Sequence, residues 1–370
     1  MRVCSPHCGA EPESQSGGGV YERELLRSLA ASGHDLHVIL AGTKALPDGI
    51  SGTVHRPVLR RGLRWWVTPF VWPHAIARCW RECGPFDLLR AHSVRYAGPS
   101  CLIARRRLGL KVPVVTHIHH LDPSPLNGLI ERRVLNASDL VITDSDFARG
   151  QLVGLGVEPS KIRVVNSGIA DHYRPDSSWV DMIRAARHGR FLVLACGQLI
   201  ERKDPLFAIE TMRAVCVLGL GGNVDLIWIG QGPMRATVER RIRDLGVEHM
   251  VKLVGHVSED DKLALLRSCD VFIHPSVREG FALAPQEAMA CGKPVIARSE
   301  ASMGEMIENN VSGLIVGNPI EAAHGVAWMI QNPKMLRLMG MAASRRAEER
   351  FRWSRTSEGV ETVYREAVGR

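Results

Sequence analysis

Short apolar runs alternate with amphipathic stretches along this chain, and this alternation most constrains its fold. Apolar runs in the first half lie at residues 2–4, 36–40, 87–89, 112–118, 139–143 and 162–165. The first amphipathic stretch, from about Val20, places Tyr21, Leu25 and Leu29 on one helical face, and Gly33 follows at the usual C-terminal position. Strands that alternate with helices are typical of an α/β protein with a parallel sheet, so we predict a first Rossmann-like domain.

A polar stretch at residues 169–190, which contains Pro175, interrupts this rhythm. Apolar runs then resume at residues 191–195, 224–229, 250–253, 270–273, 294–297 and 314–316. We therefore predict a domain over residues 1–170, a linker over 171–190 and a second Rossmann-like domain over 191–350. A helix over 351–370 would end the chain and could pack back on the first domain. Ligands of open α/β sheets bind at the carboxyl ends of the strands, so two such sheets facing one another would form a cleft.

Composition excludes several classes of protein. The chain of 370 residues is 45% hydrophobic and 23% charged, as in folded globular proteins, and no apolar run reaches the length of about 18 residues that a membrane-spanning helix needs. The N-terminal residues lack a signal-peptide pattern, so we expect a cytoplasmic protein. The nine cysteines are scattered, which argues against a disulfide framework. A net charge of +8 suits an anionic substrate, nucleic acid or an acidic membrane, without choosing among them.

Residues 275–297, PSVREGFALAPQEAMACGKPVIA, are the most informative stretch. They follow a predicted strand and enter a helix near Pro285, since proline is tolerated in the first helical turn. Glu279 and Glu287 could each accept hydrogen bonds from a vicinal diol, and thus hold two sugar rings of one extended ligand. Backbone N–H groups near the helix start could meet a phosphate between these rings; they belong to Phe281, Ala282 and Leu283, which follow Gly280. On spacing alone, an exposed loop Glu279 and a helix-capping Glu287 explain the pattern equally well.

Three glycines precede the first predicted helix. The backbone of Gly17, Gly18 and Gly19 could approach a phosphate or an acceptor closely. The alternative is a flexible loop without a ligand. The spacing is not G-x-G-x-x-G, so the fingerprint of nicotinamide-binding proteins is missing.

A series of motifs, in order along nearly the whole chain, resembles one enzyme family. After the three glycines, the series comprises GHDLHVIL, VPVVTHIHHLDP, ASDLVITDS, GVEPSKIRVVNSGI, CGQLIERKD, IGQGP, LVGHVS, CDVFIHPSVREGFALAPQEAMACGKPVIA and EMIENNVSGLIV. The chain is similar to the retaining GT-B glycosyltransferases of family four, whose E-x7-E region matches Glu279 to Glu287. The resemblance implies that a nucleotide-diphosphate sugar binds mainly to the second domain and an acceptor mainly to the first. It also implies that Glu279 contacts the hexose and Glu287 the ribose of the donor.

The same resemblance implies roles for other polar residues. Lys203, in CGQLIERKD, would stabilise the departing diphosphate; the alternative is a solvated loop lysine. Gln198 stands where the family usually has arginine, and Arg202 could compensate for the missing cation. His119 in THIHH would orient the donor sugar, with His117 and His120 as rivals.

Other departures from the family pattern concern the donor pocket. Ala282 replaces the second glycine of the usual E-G-F-G loop, residues 167–170 read SGIA instead of NGVD, and Ala301 and Ser302 replace a glycine pair. Each of these changes could reshape the pocket around the sugar.

Three patterns suggest metal ions, and we assign a metal to none of them. His117 and His119 would share one face of a strand. Asp144 and Asp146 spell the D-x-D of a different glycosyltransferase fold, but Asp146 is better placed to cap the next helix. Cys4 and Cys8 flank His7, yet we found no second cysteine pair at usable spacing after them. We expect no cofactor besides the nucleotide sugar and no metal requirement.

The segment of residues 60–72, from Arg60 to Trp72, combines arginines with Trp65, Trp66 and Phe70. It is either a segment packed on its own domain or a patch that touches an acceptor or an anionic membrane surface. We expect no nucleic-acid partner, because no recognised nucleic-acid fold accompanies the patch.

We therefore predict a retaining hexosyltransferase. It would move glucose or N-acetylglucosamine from a uridine-diphosphate sugar, with guanosine-diphosphate mannose as the rival donor, to a hydroxyl of a small or lipid-linked acceptor. Natural-product or cell-envelope glycosides would be its products. Two alternatives stay open: a nucleotide-sugar epimerase or hydrolase on the same fold, and a non-catalytic nucleotide-binding protein.

Overall fold

The computed structural model describes residues 1–7, 17–40, 46, 49–56, 68–119, 125–176, 189–277 and 279–369. These residues form two compact units. The first comprises residues 1–168 and 353–370, and the second comprises residues 169–352. Of the predicted linker, residues 177–188 lie outside the described residues, and the described remainder belongs to the second unit.

The first unit contains a parallel sheet of seven strands in the order β3-β2-β1-β4-β5-β6-β7. The strands are β1 (Arg2–His7), β2 (Asp35–Leu40), β3 (Thr53–His55), β4 (Leu88–Ala91), β5 (Val114–His117), β6 (Leu140–Thr143) and β7 (Ile162–Val164). Its helices are α1 (Gly17–Ala31), α2 (Thr68–Cys83), α3 (Ala97–Leu108), α4 (Pro125–Ala137), α5 (Asp146–Gly154) and the C-terminal α13 (Trp353–Val368). Sequence reasoning missed β3, because its three residues contain a single aliphatic side chain.

The core of this unit joins the first helix to the last. Tyr21, Leu25 and Leu29 of α1 are buried, as the helical spacing predicts, and they share a cluster with Val360 and Tyr364 of α13. The last helix therefore completes the hydrophobic core of the first unit, although more than 180 residues of the chain separate it from β7.

The second unit contains six parallel strands in the order β10-β9-β8-β11-β12-β13. The strands are β8 (Phe191–Cys196), β9 (Val224–Ile229), β10 (Val251–Gly255), β11 (Val271–His274), β12 (Val295–Arg298) and β13 (Gly313–Val316). The helices are α6 (Pro205–Val217), α7 (Arg235–Leu245), α8 (Glu259–Ser268), α9 (Leu283–Ala290), α10 (Met303–Met306), α11 (Pro319–Gln331) and α12 (Pro333–Arg350). Buried apolar residues cover both faces of this sheet.

Each sheet is doubly wound, which confirms the predicted pair of Rossmann-like domains. Every strand predicted from an apolar run is present, with its ends shifted by at most three residues. In the first sheet β1 lies between β2 and β4, and in the second sheet β8 lies between β9 and β11. The strand order therefore reverses beside β1 and beside β8. Ligands of such sheets bind at this reversal, outside the carboxyl ends of the strands. Within the described part of the chain, no helix has the length and apolar character needed to span a membrane.

Candidate active site

Lys203 and Glu279 meet at the reversal point of the second sheet. Lys203 ends a short 3-10 helix (Glu201–Lys203) that follows β8, and Glu279 lies in the loop after the neighbouring strand β11. Lys203 Nζ is 2.6 Å from Glu279 Oε1, and Arg202 pairs with the same oxygen. The Glu279 side chain is only 9% exposed, so it is not the solvated loop residue that spacing alone allowed. Two cations therefore converge on one nearly buried carboxylate.

The surroundings of Glu279 keep it ionised. Burial on its own raises the pKa of this carboxyl group, but the charges of Lys203 and Arg202 oppose burial, and the pKa lies below its ordinary value. His274, the last residue of β11, is fully buried, and burial together with Lys203 lowers its pKa to about 3. The imidazole is thus neutral near pH 7, and the positive charge at this point comes from Lys203 and Arg202.

Close backbone packing holds the loop after β8 in place. The IGQGP motif follows β9, and a Cβ atom on Gly230 would lie 2.0 Å from the carbonyl oxygen of Gly197. A Cβ atom on Gly232 would lie 2.4 Å from the carbonyl oxygen of Leu199. The backbone N–H of Val277 donates to the carbonyl of Arg202 at 3.0 Å, which joins the β8 loop to the β11 loop. The glycines of this motif thus allow the β8 loop to pack against its neighbour.

Glu287 belongs to a second polar cluster of the same unit. It is the fifth residue of α9, so the helix-capping alternative is wrong. Its Oε1 lies 3.3 Å from Lys262 Nζ, Tyr173 also hydrogen-bonds it, and both partners contact Glu259 as well. Burial is the largest influence on Glu287 and raises its pKa; Glu259 adds to this effect, while Lys262 opposes it.

The segment between the two glutamates contributes a side chain to the core and also contains the start of α9. Phe281 packs edge-on against Phe351 with ring centroids 5.4 Å apart, so its side chain belongs to the core. The helix begins at Leu283, two residues before the predicted Pro285, and Ala282 precedes it without a capping side chain. First-turn N–H groups have no partner inside their own helix. The backbone N–H of Leu283 is one of these groups, and its contact with a phosphate stays a prediction.

His119 lies just beyond β5 at the carboxyl edge of the first sheet. Its Nδ1 is 3.4 Å from Asp144 Oδ2, its ring centroid is 4.2 Å from that of Tyr21, and its side chain is 20% exposed. The rival His117 is buried, with Nε2 3.0 Å from the hydroxyl of Tyr364, so it is a core group. The other rival, His120, lies outside the described residues.

A buried ion-pair network lies beside His119, and sequence reasoning missed it. Arg90 of β4 donates from both terminal nitrogens to the carboxylate of Glu22 on α1, at 2.7 and 2.5 Å. His92 Nδ1 lies 2.6 Å from the same carboxylate, and His7 Nε2 lies 3.3 Å from it. Two features of the sequence could have indicated this network: Arg90 lies inside an apolar run, and Glu22 lies beside the apolar face of α1.

Glu22, His92 and His119 each bring one potential metal-ligand atom within 4.8 Å of the others. The guanidinium of Arg90 already neutralises Glu22, whose pKa is below its ordinary value. A cation would therefore have to displace this buried ion pair, so the geometry favours an ion-pair network.

Several smaller predictions have definite outcomes. Gly17, Gly18 and Gly19 form the first turn of α1 and do not precede it, so the predicted start near Val20 is late. Ser145, not Asp146, caps α5: its backbone is extended, and its hydroxyl accepts from the N–H of Ala148 at 3.1 Å.

Other residues of interest are only partly described. Gln198 is exposed. Of the segment 60–72, Trp72 is buried in the core and Phe70 is 69% exposed, while residues 60–67, like Cys8, lie outside the described residues.

Two doubly wound sheets with polar clusters at their carboxyl edges define an α/β protein with two Rossmann-like domains. The model of the Glycosyltransferase Family 4 domain matches residues 15–172, and that of the Glycosyl transferases group 1 domain matches residues 182–346. Together these matches span most of the chain, which is therefore a glycosyltransferase of the GT-B, family 4 type.

Curated relatives and solved structures agree with this assignment. D-inositol 3-phosphate glycosyltransferase 2 of Catenulispora acidiphila is 27% identical over 97% of this chain and 92% of its own length. N-acetyl-alpha-D-glucosaminyl L-malate synthase of Bacillus anthracis is 25% identical over 95% of this chain and 94% of its own. The Anabaena Alr3699/HepE structure in complex with UDP has a TM-score of 0.81, with 19% identity over 99% of this chain and 100% of that one. This structure shows the same GT-B fold as our chain.

Proposed function

We propose that this glycosyltransferase is a retaining hexosyltransferase that uses a nucleotide-diphosphate sugar, with the donor bound at the carboxyl edge of the second sheet. One observation carries the proposal: Lys203 and Arg202 converge on Glu279 where the strand order reverses. A sugar diphosphate needs cations beside its phosphates and hydrogen-bond acceptors beside its hydroxyls. This cluster supplies both at one point.

Donor binding would redistribute these charges. Without a donor, the two cations neutralise Glu279. A diphosphate beside the start of α9 would draw Lys203 and Arg202 toward its own charge and leave Glu279 to accept hydrogen bonds from the sugar hydroxyls. Because negative charge grows on the diphosphate as the glycosidic bond breaks, cations placed there stabilise the transition state. Arg202 would supply the charge that Gln198 does not.

Glu287 would hold the ribose of the nucleotide. Its buried position and its pairing with Lys262 give it one defined orientation, as recognition of a diol requires. In the first unit, Asp144 positions His119, to which we assign a role in orienting a sugar. The departing diphosphate would take the proton of the acceptor hydroxyl on the same face of the sugar, which retains the anomeric configuration.

The relatives and structures also support a choice of donor and acceptor. The Anabaena structure was solved in complex with UDP and also with UDP-glucose. The first-named relative acts on D-inositol 3-phosphate and the Bacillus enzyme is an L-malate synthase, so both names contain a small, anionic, hydroxylated compound. We therefore propose UDP-glucose or UDP-N-acetylglucosamine as donor and an acceptor of this chemical kind. GDP-mannose is the rival donor, since a Mycolicibacterium hassiacum relative is a mannosyltransferase.

A thermal-shift screen of nucleotide sugars tests the donor site. A ligand present at about 100 times its Kd adds about 2.7 kcal/mol to apparent stability, so the true donor should raise Tm clearly. Glu287→Ala should remove most of this shift. Glu239→Ala, which changes an exposed glutamate of α7 in the same unit, should leave it unchanged.

Two outcomes would contradict the proposal. If Glu287→Ala keeps the full shift, the ribose contact is wrong. If the product formed with the best donor has the inverted anomeric configuration by NMR, retention is wrong. Sugar released into water at the same rate with every hydroxyl acceptor would instead identify a hydrolase.

A further inference from the structure

A second cluster of chemically reactive side chains lies in the first unit, away from the residues discussed above. His37 lies on β2 and His55 ends β3, while Cys79 and Cys83 are one turn apart on α2. One potential ligand atom from each of the four residues lies within 4.8 Å of the other three. Two imidazoles and two thiols are the ligand set of a common structural zinc site.

The distance between the two imidazole nitrogens fits tetrahedral coordination. His37 Nδ1 and His55 Nε2 are 3.2 Å apart. Two nitrogens bound to one zinc ion at about 2.0–2.1 Å in tetrahedral geometry are separated by about 3.3 Å. Cys79 and Cys83 are at positions i and i+4, so their side chains project from the same helix face. The two strands and the helix thus bring four ligands to one point.

Neighbouring side chains are placed to orient the proposed ligands. His37 Nε2 lies 3.3 Å from Asp35 Oδ2, and the same oxygen accepts from Arg2 Nε at 2.8 Å. Metal-binding histidines usually direct their second ring nitrogen at a carboxylate, which fixes the ring and the tautomer. Cys4 hydrogen-bonds Cys79. A thiolate at Cys79 would therefore have a neighbouring S–H group as a donor.

We propose that His37, His55, Cys79 and Cys83 bind one zinc ion in a structural site. Binding would displace the thiol protons of Cys79 and Cys83, so zinc uptake releases two protons, while the proton between the two imidazoles moves to a ring nitrogen that zinc does not hold. Four protein ligands leave no position open for a substrate, which is the arrangement of structural zinc.

The location of the cluster supports this structural role. Arg2, at the amino end of β1, donates from Nη1 to the carbonyl of Cys83 at 2.8 Å, and Asp35 begins β2. The cluster thus has the amino ends of β1 and β2 on one side. The proposed acceptor-side groups, such as His119, lie at the carboxyl edge. Zinc would cross-link the edge strand β3 to β2 and to α2.

Metal analysis of the full chain under reducing conditions tests the site. After chelation and reconstitution with zinc, we expect one zinc ion per chain, and with cobalt the absorption bands of tetrahedral Co²⁺ bound to thiolates. Cys83→Ser and His55→Gln should each lose the stoichiometric metal. The absorption bands of the cobalt–thiolate complex should disappear or become much weaker. Cys216→Ser, at a half-buried cysteine of the second unit, should keep both.

The proposal is wrong if the reconstituted wild-type chain holds no zinc, since the four side chains would then form only a hydrogen-bonded cluster. It is also wrong if Cys83→Ser retains the metal at full stoichiometry. Cys83 is half-buried at the end of a helix, and His55 lies on an edge strand, so circular dichroism of these two variants separates loss of metal from loss of folding. Metal content is measured without a donor sugar, so failure here leaves the proposed transferase activity untouched.

Discussion

At the scale of single residues, the two glutamates of the E-x7-E segment have opposite environments. Both are largely buried, and burial alone raises the pKa of each. Lys203 and Arg202 reverse this effect at Glu279, whereas at Glu287 the nearby Glu259 adds to it and Lys262 does not overcome it. Glu279 therefore stays ionised to a lower pH than an ordinary glutamate, while Glu287 takes up a proton at a higher pH than an ordinary glutamate.

This difference predicts the pH dependence of donor binding. As pH falls through the raised pKa of Glu287, this residue loses its charge and the donor Kd should rise, before Glu279 titrates. Glu287→Gln should weaken binding at neutral pH by roughly tenfold or more, because hydrogen bonds to charged groups contribute about 1.5–3 kcal/mol. It should also remove this pH dependence, as measured by isothermal titration calorimetry at several pH values. A Kd of the wild type that stays constant down to the ordinary glutamate range would contradict the assignment.

Protonation of Glu287 should weaken donor binding, but it should increase the stability of the folded chain. An acid whose pKa is raised by folding binds its proton more tightly in the folded state, so the contribution of Glu287 to stability increases as pH falls through that pKa. Glu279 behaves in the other way: its contribution is present above the unfolded pKa and is lost as pH falls through the lowered folded pKa.

At the scale of elements, the helix that carries Glu287 is positioned by a close approach of α12. A Cβ atom on Gly340 of α12 would lie 2.3 Å from the carbonyl oxygen of Gly292, just after α9. This contact is backbone to backbone, so a side chain cannot move aside to relieve it. The position of Glu287 thus depends on a glycine more than 50 residues further along the chain.

We expect Gly340→Ala to lower the free energy of unfolding by roughly 1–3 kcal/mol, because overpacking outweighs the better helix propensity of alanine. Gly304→Ala is the control, since its Cβ atom would meet no atom within 4 Å, and it should change stability by less than about 0.5 kcal/mol. Urea denaturation measures both variants. Equal stability of the two would show that α12 does not hold α9 in this way.

At the scale of the whole molecule, the two units have the same strand order at their centres but different polar clusters. The first unit places His119 beside a buried Glu22–Arg90 pair, and the second places two cations beside Glu279. Only the second cluster has the cations that a diphosphate requires at an accessible edge, since Arg90 is fully buried. The two units are therefore expected to respond differently to a nucleotide alone.

Hydrogen–deuterium exchange tests this difference. UDP alone should slow exchange in residues 197–204 and 279–290 and leave the strands of the first unit unchanged. Glu287→Ala should reduce this protection at the same UDP concentration. Protection confined to the first unit would place the nucleotide elsewhere and contradict the donor site.

The sequence by itself determined every strand except β3, the order of these strands along the chain, and the family. Apolar runs locate strands because the strands of a parallel sheet are buried on both faces. The motifs around Glu279, Glu287 and Lys203 are local, so they can be read without knowing the fold. The start of α1 and the cap of α5 were predicted wrongly, because several neighbouring residues can begin a helix and the backbone geometry chooses among them.

Only the tertiary structure decided which distant side chains meet. Arg202 pairs with Glu279, 77 residues further along the chain, and Glu22 pairs with Arg90 across 68 residues. The four proposed zinc ligands come from three separate elements, so the spacing of cysteines in the sequence did not identify them. Sheet order and helix packing create these neighbourhoods, and burial then determines the charge of each group. Both are properties of the folded chain as a whole.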